Sequence, residues 1–384
     1  MRTSFKFLSQ ILMATLINIC WPSFSGALEH FTVGWVPNQI HYDQGSLLVI
    51  NSGVNSGISQ APSVSKIVLH NQTVSTVTLP MATNPYRGTL IDGWLWLTYN
   101  LTDEIVRAPL ADLPGATAVT PQVLYQPDLN STGAESILAV GNRVWVAFSN
   151  LNADLTFGKG EIFILNKTDG QPETRLSFAE KNPKFFHKLE NGKMAVAFGD
   201  YESHSGSIAV LDPTMMENLP ATTDVSAQTP LPFAKYFSVG GTPGAVTSYQ
   251  SEMWSCDQFL EGPSNAYKID LQSGNQQSYQ LPFPACSAIG ASAKYIYILS
   301  LYGGLENIRK EHLFVYDREN FILKCALEVI PPRFHSPMLG FPTDLLLFQN
   351  ESKNYLAIAM SSINTVSVLN LDQSAWPEDC GPAR

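Results

Sequence analysis

NYLAIAMSSINTVSVLNLD, residues Asn354 to Asp372, holds the two signals that decide the architecture. Its first half, Tyr355 to Met360, is an uninterrupted apolar run, short for a helix and closed by Ser361 and Ser362. Its second half alternates, with Val366 and Val368 separated by Ser367, and stops at Asn370 and Asp372. A short apolar run between turn residues predicts a buried strand, and alternation predicts a strand with one buried face. Asn and Asp suit the turns that follow, because they tolerate positive φ or hydrogen-bond their own backbone.

The pair recurs seven times. Its first member reads SLLVINSG (Ser46 to Gly53), WLWLTYN (Trp94 to Asn100), RVWVAFSN (Arg143 to Asn150), KMAVAFGD (Lys193 to Asp200), EMWSCDQ (Glu252 to Gln258), YIYILSLYGG (Tyr295 to Gly304) and NYLAIAMSS (Asn354 to Ser362). The second member follows each, from SKIVLHN (Ser65 to Asn71) in the first copy to NTVSVLNLD (Asn364 to Asp372) in the last. A further short strand precedes most copies and opens on Pro37, Pro85, Pro183, Pro243 or Pro342, where a residue without an amide proton fits the start of a strand. A fourth strand trails several copies, as in TVSTVTLP (Thr73 to Pro80) and QQSYQLP (Gln276 to Pro282). Four strands every ~45 to 50 residues are the period of a propeller blade, and a ring of blades removes most exposed sheet edges. The seventh copy has no fourth strand of its own, whereas HFTVGWV (His30 to Val36) is a strand without a blade. The prediction is an all-β, seven-bladed β-propeller over residues 28–375, with four-stranded antiparallel blades, an N-terminal strand closing the ring and a tail at 376–384.

The last copy, and less strongly KMAVAFGDYESHSGSIAVLDP (Lys193 to Pro213), resembles the YVTN/YncE-like repeat propellers. The shared pattern is an apolar strand, a polar turn and N-x-V-x-V ending in Asp or Asn; the strict Tyr-Val-Thr-Asn tetrad is absent. The resemblance implies the fold and an extracytoplasmic setting. Fold alone does not imply a function.

The N-terminus supports that setting. Arg2 and Lys6 precede an apolar stretch from Phe7 to Trp21, which small residues close at Ser25-Gly26-Ala27. This is the layout of a secretory signal peptide over residues 1–27, predicting a secreted or periplasmic protein with no membrane insertion after cleavage. A net charge of -10 argues against nucleic acid as a partner. Cleavage removes Cys20 and leaves Cys256, Cys286, Cys325 and Cys380, an even number in an oxidising compartment. Three pairings are compatible with four cysteines. The repeat alignment favours Cys256 with Cys286 and Cys325 with Cys380.

Candidate ligand-binding residues fall in two groups. Asn51, Asn100, Asn150, Asp200, Asp257 and Ser361 end the first members, where one rim of the ring could gather their oxygens around a ligand or a divalent cation such as Ca2+. Turn chemistry is the simpler account of them. His41, Arg87 and His187 lie on the expected innermost strands, where they could hold an anionic group or simply line a solvated channel. Glu202 and His204 share one loop that is a weak metal signal. No G-x-S-x-G elbow, H-E-x-x-H helix or P-loop occurs. Trp94, Trp96, Trp145 and Trp254 read as packing between blades. The loops Asn51 to Ser63, Asn150 to Lys159 and Phe259 to Pro263 are the better places for partner contact. Asn71, Asn100, Asn130, Asn166 and Asn350 begin N-x-S/T triplets, a number close to chance. The reading favours a monomeric, non-catalytic binding or scaffold propeller for a protein, glycan or small-molecule ligand. The alternative is a lyase or lactonase with a central divalent cation, since such enzymes assemble sites from scattered channel residues.

Overall fold

A computed structural model of the protein describes residues 28–372, apart from 56–57, 81–83, 114–117, 128–130, 153, 155, 201–202, 217–218, 226–232, 259–262, 301–311 and 331–341. The leader, the tail and Cys380 therefore lie outside the described residues, as do Glu202 and most of the loop from Phe259 to Pro263. Seven antiparallel meanders form the ring, each with its first strand innermost. These innermost strands are Pro37–Asp43, Pro85–Ile91, Ala134–Val140, Pro183–Lys188, Pro243–Tyr249, Cys286–Ala291 and Pro342–Asn350, in blades 1 to 7. Each packs against the next around the axis, blade 7 against blade 1 included. The protein is a seven-bladed β-propeller.

The N-terminal strand closes the ring. Leu28–Thr32 pairs antiparallel with Thr365–Asn370, so that it supplies the fourth strand of blade 7. It is shorter than His30 to Val36 and starts earlier, because the chain leaves the sheet after Thr32. There Asn364, at φ 52°, accepts from the Val33 amide through its backbone oxygen at 2.9 Å and from the Val36 amide through Oδ1 at 3.0 Å.

The core is divided among the seven seams between blades. Ser46–Asn51 shows why: Leu47 and Val49 pack into the seam with blade 7, while Leu48 and Ile50 pack into the seam with blade 2. A second strand is thus covered on both faces, and its sequence is continuously apolar although its sheet is antiparallel. Trp96, Trp145 and Trp254 are buried in these seams, and half-buried Trp94 lies under the Arg107 guanidinium at 4.5 Å. Gly160 and Gly206 begin to pair where the next blade's Pro183 and Pro243 press on the sheet, and a Cβ at either would meet the proline ring.

The meander also sorts the loops. First strands start, second strands end and third strands start on one face, here the loop face; the opposite turn face carries tight turns such as Gln44-Gly45, Asp92-Gly93 and Gly141-Asn142. The loops Asn51 to Ser63 and Asn150 to Lys159 both stand on the loop face. Each carries a small hairpin, Val54–Asn55 against Ile58–Ser59 in one and Leu151 bridged to Phe157 in the other.

Candidate functional site

Every innermost strand slips register just after it begins. The slips fall between Pro37 and Gln39, Pro85 and Gly88, Ala134 and Ser136, Pro183 and Phe185, Pro243 and Ala245, Cys286 and Ala288, and Pro342 and Asp344. A β-bulge leaves its extra residue unpaired and re-aims the side chain. Here the bulges set Asn38, Tyr86, Glu135, Lys184, Gly244, Ser287 and Thr343 at equivalent positions at the loop-face end, or mouth, of the axis, with Arg87 and Asp344 one residue further along their strands.

Arg87 crosses that mouth. From blade 2 its Nη1 donates to the Asn38 carbonyl of blade 1 at 3.0 Å and lies 3.7 Å from Asp344 Oδ1 of blade 7. The guanidinium also sits 5.0 Å from the Phe185 ring of blade 4, and only 7% of the residue is exposed. Asp344 Oδ2 accepts the Ile40 amide at 2.8 Å. Burial raises the Asp344 pKa against the opposing pull of Arg87 and two backbone amides. Burial likewise raises that of Glu135, opposed by Lys184, Arg87 and hydrogen bonds from Ser149 and Asn100. Lys184 in turn donates to Gln258 Oε1 of blade 5 at 3.3 Å, and the Gln258 side chain covers the space that Gly244 leaves open. The mouth is therefore lined by two cations and two carboxylates, of which Arg87 and Asp344 face each other across non-adjacent blades.

His41 lies beside this group. Burial first and the Arg87 charge second lower its pKa to about 4, against a hydrogen bond to the Gly88 backbone. It is uncharged at neutral pH, and its Nε2 is buried without a hydrogen-bond partner among the described residues, as is Arg87 Nε. His187 holds the equivalent register position on blade 4. Its Nε2 is 2.8 Å from Ser248 Oγ on blade 5, and burial lowers its pKa to about 4 as well.

Of the residues singled out in the sequence, His41, Arg87 and Asn100 gather at the mouth. His187 joins the innermost strands of blades 4 and 5 through Ser248, and the others lie at strand ends. Asn150 Oδ1 accepts the Thr132 amide at 3.0 Å and Asp257 Oδ1 the Thr242 amide at 2.9 Å, fixing how the chain enters blades 3 and 5. Asn51 is buried and donates to Ser63 and Ser65, and Asp200 accepts from Ser203 Oγ at 2.8 Å and faces Lys181 at 3.5 Å. Glu135, Lys184, Gln258 and Asp344 were not singled out; aligning the innermost strands on their first residues brings Glu135 and Lys184 into one column and Asp344 into one column with Arg87. Cys256 and Cys286 are bonded across the seam of blades 5 and 6, with Cα atoms 5.9 Å apart. Cys325 is buried on the fourth strand of blade 6, and its expected partner Cys380 lies outside the described residues.

No protein-family profile matches this sequence, and no characterised protein matches it in a sequence search. Solved structures do match its fold. The WD40 β-propeller domain of Doa1 is 12% identical, with a TM-score of 0.56 over 90% of this chain and 100% of that one. Saccharomyces cerevisiae Sqt1 is 8% identical, with a TM-score of 0.56 over 90% and 98%. At such identities the likeness is one of fold.

Proposed function

We propose that this chain is an exported binding or scaffold propeller that holds a protein partner on the loop face of blades 1 to 3. One observation carries the reading. Trp35, Leu101 and Leu151 are 44%, 59% and 38% exposed, and each stands on the loop face of a successive blade. Large apolar side chains grouped on one face are what an interface uses, whereas scattered ones need no explanation. The long loops rise on the same face. The axis suits a structural role better, because both carboxylates at its mouth already face Arg87 and Lys184. Among the described residues no three His, Cys, Asp or Glu side chains converge as metal ligands would, so nothing specific favours the lyase or lactonase reading.

Export is part of the proposal and is supported by the leader-like N-terminus and by the Cys256–Cys286 disulfide. Membership of the YVTN/YncE-like propellers and a monomeric state are proposed with it, on the repeat pattern. The test compares a triple and a double variant of the mature chain as immobilised baits for extracellular proteins. Trp35→Asp/Leu101→Asp/Leu151→Asp is expected to lose its bound proteins, while a turn-face control, Met215→Asp/Ile322→Asp, keeps them. Equal retention by both, with both folded, would overturn the assignment.

A further inference from the structure

We infer that Asn71 is an N-glycan acceptor site. Five N-x-S/T triplets occur in the sequence, and four of their asparagines lie among the described residues. Three of these amides are engaged or half-buried. Asn100 hydrogen-bonds the Glu135 carboxylate at the axis, Asn166 Nδ2 donates to Glu173 Oε1 at 3.0 Å, and Asn350 Oδ1 accepts from Tyr42 Oη at 3.0 Å in a half-buried position. Asn71 differs. It is exposed in the turn between Ser63–Val68 and Thr73–Thr78 of blade 1, and no hydrogen bond from its Nδ2 is present among the described residues.

The turn also arranges the triplet's hydroxyl. Thr73 Oγ1 donates to Asn71 Oδ1 at 2.8 Å and the Thr73 amide donates to the same oxygen at 3.2 Å, so the carbonyl side is held and the nitrogen faces solvent. A bond from Nδ2 to the anomeric carbon of a sugar would leave both contacts in place. The donor is a polyisoprenyl-diphosphate-linked oligosaccharide of the secretory machinery: the N–C bond forms, Nδ2 gives up one proton, and the sugar–phosphate C–O bond breaks with its electron pair leaving on the lipid diphosphate. The site is on the turn face, so a bulky glycan there leaves the loop face clear. The inference rests on passage through a secretory compartment and not on loop-face binding.

Secreting the mature chain from eukaryotic cells behind a host leader separates the two, because entry into the lumen no longer depends on residues 1–27. Release of the glycan by an amidase should convert Asn71 to Asp in the peptide map, with occupancy retained in Thr73→Ser and lost in both Asn71→Gln and Thr73→Val. Secreted, disulfide-bonded protein with an unmodified Asn71 would overturn the inference, as would a glycan on Asn71 that survives Thr73→Val.

Discussion

Replacing Arg87 by Met keeps an apolar stem of similar length and removes the guanidinium. Asp344, on the far side of blade 1, then loses the cation that faces it among the described residues, and the Asn38 carbonyl loses the Arg87 donor. Breaking a buried pair from one side strands the other charge, so Arg87→Met should lower the unfolding free energy by about 3 kcal/mol in denaturant titrations. Arg87→Met/Asp344→Leu should recover part of that loss, because both charges are gone. The residue types at the mouth were only partly legible in the sequence. Arg87 stood out because a proline announces its strand, whereas Glu135 follows Ala134 on a strand with no such marker. A bulge is set by how two strands pair, and nothing local spells it out. Asn150 and Asp257 were legible as turn formers, but their partners, Thr132 and Thr242, lie 18 and 15 residues away.

At the scale of strands and seams, reading was easier because both periodicity and burial repeat. The second strands announced themselves as unbroken apolar runs for the reason the seams supply. The fourth strands of blades 2 and 4 did not, since Gln122–Tyr125 and Ala234–Val239 follow long connections after the third strand. Those connections have a use: Thr222–Asp224 adds a parallel fifth strand to the outer edge of blade 3, and Ala118 bridges to Thr78 at the edge of blade 1. Each covers an edge that would otherwise be open to strand addition. The seam between blades 5 and 6 is fastened covalently as well. Cys256 and Cys286 are 30 residues apart, and closing a loop of that size stabilises by about 3 to 4 kcal/mol in the chain-entropy account. Cys256→Ser/Cys286→Ser should lower the unfolding free energy by an amount of that order in denaturant titrations, and reductant should then have a smaller effect on the variant than on the parent. Peptide mapping without reduction should find the second bridge as Cys325–Cys380; a Cys256–Cys380 crosslink would refute it.

For the molecule as a whole, the two channel histidines set how stability depends on acid. Both have pKa values lowered to about 4 in the fold, against 6.5 when solvated. Above pH 6.5 both states hold them neutral. As the pH falls through that value the unfolded chain takes up protons that the fold refuses, so stability is lost between pH 6.5 and about 4. Asp344 and Glu135, whose pKa values are raised, act in the opposite sense. A comparison of thermal and denaturant unfolding of the parent with His41→Gln/His187→Gln isolates the histidines. The parent should lose about 3 to 4 kcal/mol more than the variant between pH 7 and pH 5.

The pairing of Leu28–Thr32 with Thr365–Asn370 also bears on how the molecule is made. His30 hydrogen-bonds Ser367 across 337 residues of sequence, so one partner of this seam leaves the ribosome among the first residues of the ring and the other among the last. Until Thr365–Asn370 has been translated, the opening strand lacks its pairing partner in blade 7. A prematurely terminated chain can form individual blades but leaves the seams at both of its ends uncovered, which exposes it to proteases and chaperones. Circularity thus makes length itself a condition of stability, and only a finished chain can hide its ends.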